Sequence, residues 1–314
     1  MTTKQTIQLL HTFESRNVTF IEPDGSWPIV WDRAQGVDVW DADGRKYLDL
    51  TAAFGVAAGG HANARVVKAG QRQMARLLHA MGDVHPHALK ARLARELSLL
   101  TFERWQKSGR DSKSKHRSRT GKTIFGNSGF EAVEAALKTA VLATGKSGVI
   151  AFTGGYHGLG YGALNATYRN HFREPFQSQL RAFGRFAPFP PCGSCDCKSG
   201  PSAKGCGQLR GIESSLREIF RRQKIGAVLV EPVQARGGIH IPDREFLPML
   251  RRLCDEHEAL LILDEIYTGF GRTGAWFACE HSRVTPDVIC LGKALTGGFP
   301  LSACVGRADL MDRA

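Results

Sequence analysis

Three short stretches of the chain carry residues suited to chemistry on a small charged molecule. In DVICLGKALTGGFPLSA, Lys293 follows an apolar run and is enclosed by small and apolar residues, with Gly297, Gly298 and Pro300 closing a tight loop beyond it. An amine in such surroundings is kept from water, which makes it nucleophilic and able to form a Schiff base with a carbonyl group. In ALLILDE, Asp264 and Glu265 end a fully apolar run. Asp264 is therefore expected to be partly buried, and a buried carboxylate needs a cationic partner, for which a protonated ring nitrogen would serve. In GNSGFEAVEAALK, the small residues Gly126, Asn127, Ser128 and Gly129 precede a helical pattern. Backbone N–H groups at the positive end of a helix suit a phosphate. Each stretch also has a plainer reading: N-capping for Ser128, a turn cap or an arginine pair for Asp264, and a solvent-exposed amine for Lys293.

Elements able to position these groups are legible in the hydrophobic pattern. VDVWDADGRKYLDL alternates apolar and polar residues about Asp43-Gly44, which predicts a hairpin over 37–50. Amphipathic periodicity predicts helices over 64–79 and 86–105, the second opening with Pro86 in its first turn. Beyond residue 122 strands alternate with helices: strands over 123–125, 148–152, 227–231, 259–264 and 287–291, and helices over 130–143 and 243–257. Near-continuous apolar strands separated by helices predict an α/β domain with a mostly parallel sheet, whose ligands sit beyond the carboxyl ends of the strands. The expected division is an N-terminal part over 1–105, a basic loop over 106–122, and a large domain over 123–314 with a cysteine-rich loop over 188–207.

Composition bounds the function classes. The 314 residues are 42% hydrophobic with 35 glycines, enough for a large core. No apolar run approaches the roughly 20 residues of a membrane span, and residues 1–13 lack the pattern of a signal peptide, so a cytoplasmic protein is expected. The net charge of +12 is locally concentrated: RWQKSGRDSKSKHRSRTGK, over 104–122, holds eight Lys or Arg against one Asp. A solvated run without interleaved aromatics does not point to nucleic acid, and polyanion binding is the alternative for this loop. Cys192, Cys195, Cys197 and Cys206 lie in PPCGSCDCKSGPSAKGCG, where the first pair has a zinc-like gap but the second is irregular, so no metal is assigned and a loop of reduced thiols is the other reading.

Taken together, VWDADGRKYLDL, GNSGFEAVEAALK, GGYHGLGYGAL, LVEPVQARGG, LILDEIYTGFGRTGAWFACEH and PDVICLGKALTGGFPLSA resemble the class III aminotransferases, in the family's order and approximate spacing. The resemblance runs from Val37 to the last residue. It implies the type I fold of pyridoxal 5'-phosphate (PLP) dependent transferases, with a mostly parallel seven-stranded sheet, helices on both faces and a small N-terminal α+β part. It implies Lys293 as the Schiff-base lysine and proton shuttle, and Asp264 as the partner of the pyridinium nitrogen. Ser128, Gly129 and Phe130 would hold the phosphate, and Tyr156 would stack on the ring. His157 and Tyr267 would also contact the cofactor, while Glu231 and Arg236 would line the substrate side. The reaction implied is ping-pong transfer of an amino group from an amine or ω-amino acid donor to a 2-oxo acid, in a homodimer. An aminomutase, a decarboxylase or a non-catalytic dimerising relative are the alternatives.

Three departures from the family pattern stand out. Tyr267 occupies a position where the family often has Gln, and Arg236 one where some members have Glu. The charge reversal suggests that Arg236 meets a substrate carboxylate or another anion. Complete members continue past LSACVGRADLMDRA into a C-terminal domain that helps close the active site, so the sequence is read as an incomplete chain.

Overall fold

The computed structural model describes residues 1–16, 18–107, 120–190 and 207–313. The chain divides into two units, Met1–Ala80 and Met81–Ala314. The four clustered cysteines and most of the basic run lie outside the described residues.

The first unit contains helix α1 (Thr3–Phe13), strands β1 (Trp31–Gln35), β2 (Asp38–Asp41) and β3 (Lys46–Leu48), a four-residue turn α2 (Ala52–Gly55) and helix α3 (Ala64–Arg76). The expected hairpin is β2–β3, with Val39 opposite Tyr47. Its turn is drawn together by Asp41, which accepts hydrogen bonds from the backbone N–H groups of Asp43 and Arg45 and from the Tyr47 hydroxyl. Strand β1 adds to the hairpin as a third antiparallel strand. It is largely exposed, which is why WDRAQ gives no alternating signal.

The second unit opens with α4 (Ala88–Leu100) and α5 (Phe102–Lys107), followed by β4 (Gly121–Gly126), α6 (Gly129–Thr144), β5 (Gly148–Phe152), α7 (Tyr161–Ala166), α8 (Asn170–Arg173) and β6 (Gly184–Ala187). Then come α9 (Gly207–Arg222), β7 (Ile225–Val230), α10 (Phe246–Glu256), β8 (Leu260–Asp264), β9 (Val288–Leu291), β10 (Ser302–Arg307) and α11 (Ala308–Met311). One expectation is corrected here. The helix expected over 86–105 is two helices, because Thr101 leaves helical geometry (φ −109°, ψ −103°), and Pro86 precedes the N-cap His87 rather than lying in the first turn. Helices α4 and α5, which fall within the N-terminal part expected over 1–105, belong to the second unit. The Ser98 hydroxyl accepts the Gly121 N–H at 3.0 Å, and buried Trp105 donates its indole N–H to Glu280.

The seven strands of this unit run in the order β4-β10-β9-β8-β7-β5-β6, with β10 alone antiparallel to its neighbours. Alternate residues of each strand enter opposite cores. Ile150, Val228, Leu261 and Leu263 face α9 and α10 residues such as Leu216, Phe246 and Leu250. Val149, Ala227, Leu229 and Ile262 face the alanine-rich side of α6. Burial on both faces explains the unbroken apolar runs. Among the described residues no helix is long and apolar enough to cross a membrane.

Candidate active site

Because β10 lies reversed between β4 and β9, β4 is parallel to β9, and the carboxyl ends of β4, β5, β7, β8 and β9 share one edge of the sheet. Every site residue expected from the sequence lies at or just beyond this edge.

The turn from β4 into α6 carries Ser128, Gly129 and Phe130. Glu131 reaches back over the helix start, and one carboxylate oxygen accepts the N–H groups of Asn127 (2.8 Å) and Ser128 (2.7 Å) and the Ser128 hydroxyl (2.9 Å). These bonds hold the Glu131 carboxyl below the usual carboxylate range. The capping reading of Ser128 is therefore correct as local structure. It leaves the amides of Gly129 and Phe130, which as first-turn groups have no partner four residues back, as the donors offered to an anion.

The loop after β5 carries Tyr156 and His157. Phe130 packs beneath it so closely that a Cβ on Gly158 would sit 2.3 Å from the Phe130 Cβ. His157 is buried, with its backbone N–H on the Thr167 hydroxyl and its ring Nδ1 2.8 Å from Oδ2 of Asp264 at the end of β8. The other Asp264 oxygen accepts the Ile266 N–H at 3.2 Å. Burial opposes a charged imidazole, yet the hydrogen bond to Asp264 and the nearby charges of Asp264 and Glu231 prevail and raise the pKa of His157.

Glu231, just past β7 and expected on the substrate side, is buried and acts as a brace: its two oxygens accept the N–H groups of Tyr156 (2.9 Å) and Ala235 (3.1 Å), and burial raises its pKa. It thus ties the Tyr156 loop to the loop that bears Arg236. Arg236 lies 4.5 Å above the Tyr156 ring centroid and 5.3 Å from that of Phe172.

Lys293 follows β9 in a left-handed backbone conformation (φ +41°), half-buried, with Nζ 5.6 Å from the centroid of the Tyr267 ring. Ile266 was not singled out from the sequence. A Cβ on Gly129 would meet its side chain at 3.0 Å and one on Gly292 at 3.3 Å, so Ile266 lies where the anion loop, the Asp264 strand and the lysine loop meet. Glu265 points the other way: wholly buried, it accepts from Thr268 Oγ1 and from the N–H groups of Ala278 (2.9 Å) and Cys279 (2.8 Å), which fastens the loop after β8. Only a contact map shows these supports, since an Ile or Glu next to an Asp has no distinguishing pattern.

The donor set fits PLP. A half-buried amine, a buried carboxylate aimed from a strand end, free helix-end amides and an apolar Ile266 surface match a carbonyl, a ring nitrogen, a phosphate and a flat ring.

Known proteins share the sequence pattern and the fold. The family model described as aminotransferase class-III matches residues 21–314. The acetylornithine aminotransferase of Methanopyrus kandleri is 36% identical over 288 residues, covering 91% of this chain and 64% of that protein. The 5-aminovalerate aminotransferase of Pseudomonas aeruginosa is 35% identical over 296 residues, covering 91% and 62%. This chain therefore spans less than two thirds of the length of these curated relatives. Among solved structures, a PLP-bound amine transaminase from an uncultivated Pseudomonas species matches with a TM-score of 0.81 and 27% identity, over 96% of this chain and 66% of that one. The sheet is that of the type I PLP-dependent transaminase fold, all the site residues lie within the matched segment, and the chain belongs to the PLP-dependent class-III aminotransferase family.

Proposed function

We propose that the protein is a transaminase (EC 2.6.1.-) that moves an amino group from an amine or ω-amino acid to a 2-oxo acid by a ping-pong mechanism. The observation that carries this reading is the meeting, at one edge of one sheet, of the Lys293 amine, the His157-braced Asp264 carboxylate and the first-turn amides of α6. PLP, when bound, supplies an electron sink for charge developing at the carbon that bears the amine.

The chain's residues provide the rest. Lys293 Nζ is the point of attachment and, once released by an incoming amine, the base that takes a proton from that carbon and returns it. Asp264 is the negative partner of a protonated ring nitrogen, and His157 keeps it in place. The Gly129 and Phe130 amides hold the phosphate, while Ser128 can donate its hydroxyl only by leaving Glu131. Tyr156 and Ile266 would flank the ring of a bound PLP, and Tyr267 lies beside the lysine. Donor and acceptor use the same site in turn, which makes the kinetics ping-pong.

The reading extends to a homodimer. A groove of about 660 Å³ beside the anion loop is lined by Ile124, Phe130, Leu142 and Tyr161, an apolar surface suited to a second copy. Light scattering that gave a monomer would remove this part. A cytoplasmic location accords with Cys254, Cys290 and Cys304, which are buried thiols that form no disulfide.

The direct test is an absorbance spectrum with added PLP, before and after borohydride, on wild type and Lys293→Ala. A reducible band that depends on Lys293 is expected. Its absence from folded wild-type protein would refute the assignment.

A further inference from the structure

Arg236 is held in an unusual way for an exposed arginine. Its loop turns back on itself between Gln234 and His240, which pair through two backbone hydrogen bonds of 3.0 and 2.9 Å. The Gln234 side chain donates to the Thr153 carbonyl at 2.8 Å, and a Cβ on Gly237 would lie 2.7 Å from the Gly154 carbonyl oxygen, so the loop is fastened flat against the segment that leads to Tyr156. The guanidinium then rests on two aromatic rings, Tyr156 at 4.5 Å and Phe172 at 5.3 Å, which themselves meet edge to face at 5.8 Å. Arg169, which precedes α8, donates through Nη2 to the Arg236 carbonyl at 2.9 Å and brings a second positive charge to the place.

No carboxylate answers these charges. Among the described residues the Arg236 side chain makes no hydrogen bond or ion pair, and Arg169 makes no ion pair. Glu231, which braces this loop, has both oxygens committed to the Tyr156 and Ala235 amides. A stacked, fastened guanidinium with its N–H fork unspent has already lost much of the side-chain freedom that binding an anion would cost. Simple solvation of a surface arginine requires neither the aromatic cradle nor the neighbouring arginine.

We propose that Arg236, seconded by Arg169, is a carboxylate subsite of the same active site, so that the preferred substrates carry a carboxylate remote from the reacting amine or carbonyl. This rests on the transaminase reading for its setting, since Arg236 reaches the site through Tyr156. It assigns the cationic fork to this loop of the chain itself.

Two measurements on the full chain test it. The first is the ratio of kcat/KM for 4-aminobutyrate over butylamine, two amines of the same carbon-chain length that differ in the terminal carboxylate. Arg236→Gln should lower this ratio about tenfold, the worth of one charge-assisted hydrogen bond at a partly exposed site, and Arg169→Gln should lower it by less. The second is calorimetric titration with glutarate, which has no amine to react; binding to wild type should be lost in Arg236→Gln. If wild type turns over amines but Arg236→Gln keeps both the donor ratio and glutarate binding, the subsite is refuted while the transaminase reading stands. If no donor reacts, the transaminase reading falls, and glutarate binding still decides the subsite: dependence on Arg236 supports it, and independence or no binding overturns it.

Discussion

The ring Nδ1 of His157 donates a hydrogen bond to Oδ2 of Asp264 across 2.8 Å, and the two residues are only 3% and 5% exposed. Such a pair couples the site to proton binding. His157 holds its proton in the folded protein to a pH above its ordinary value of 6.5. A raised folded pKa gives stability that is fully present below 6.5 and is lost as the pH rises through the folded value. Urea denaturation should therefore show the largest gap between wild type and His157→Gln at about pH 5.5 and a smaller one at about pH 9. A gap that widens with pH would contradict the assignment.

Gly158 has a left-handed backbone (φ +110°) and no room for a side chain above Phe130. Gly158→Ala should cost about 2 kcal/mol or more, from backbone strain and overpacking together. Denaturation midpoints within a few tenths of a molar of wild type would mean that Phe130 yields more easily than the packing implies.

Lys293 has a positive φ that glycine adopts freely. Lys293→Gly should be more stable than Lys293→Ala by about 1 kcal/mol, while both variants lose borohydride-fixable PLP. Equal stabilities would show that the backbone at 293 is unstrained.

Glu231→Ala would strand the Tyr156 and Ala235 amides at a cost of about 1–3 kcal/mol each if both stay shielded from water. Glu231→Gln, which keeps one acceptor oxygen, should recover part of the loss. Hydrogen exchange should speed up at Tyr156 and Ala235 in the alanine variant; unaltered exchange there would exclude the brace.

Much of this architecture is legible in the sequence because burial on both faces writes itself plainly. The runs at 148–152 and 259–264 and the helix at 130–143 lie within a residue of the observed elements. Where burial is partial the signal fails. The helix expected over 86–105 conceals a break at Thr101, whose hydroxyl turns back to the Leu97 carbonyl at 2.6 Å. Strand β10 was not recognised because LSACVGR follows directly on the glycine loop after Lys293, and short apolar runs beside glycines are ambiguous. At the site, Lys293, Asp264 and Ser128 were visible as residue types at element ends. The Glu231 brace, the Glu265 fastening and the Ile266 junction depend on neighbours distant along the chain, and no local pattern marks them.

The position of β10 also sets a timetable. Strand β4, whose far end starts the anion loop, pairs with the rest of the sheet only through β10, and more than half the chain separates the two in sequence. During synthesis β5, β7, β8 and β9 emerge first, leaving the open edge of β9 without its partner, and such an edge invites pairing with other chains. The anion loop and the lysine loop cannot be locked into one sheet until residues 302–307 have left the ribosome. A nascent chain thus carries every reactive side chain of the site before it owns the strand that joins them.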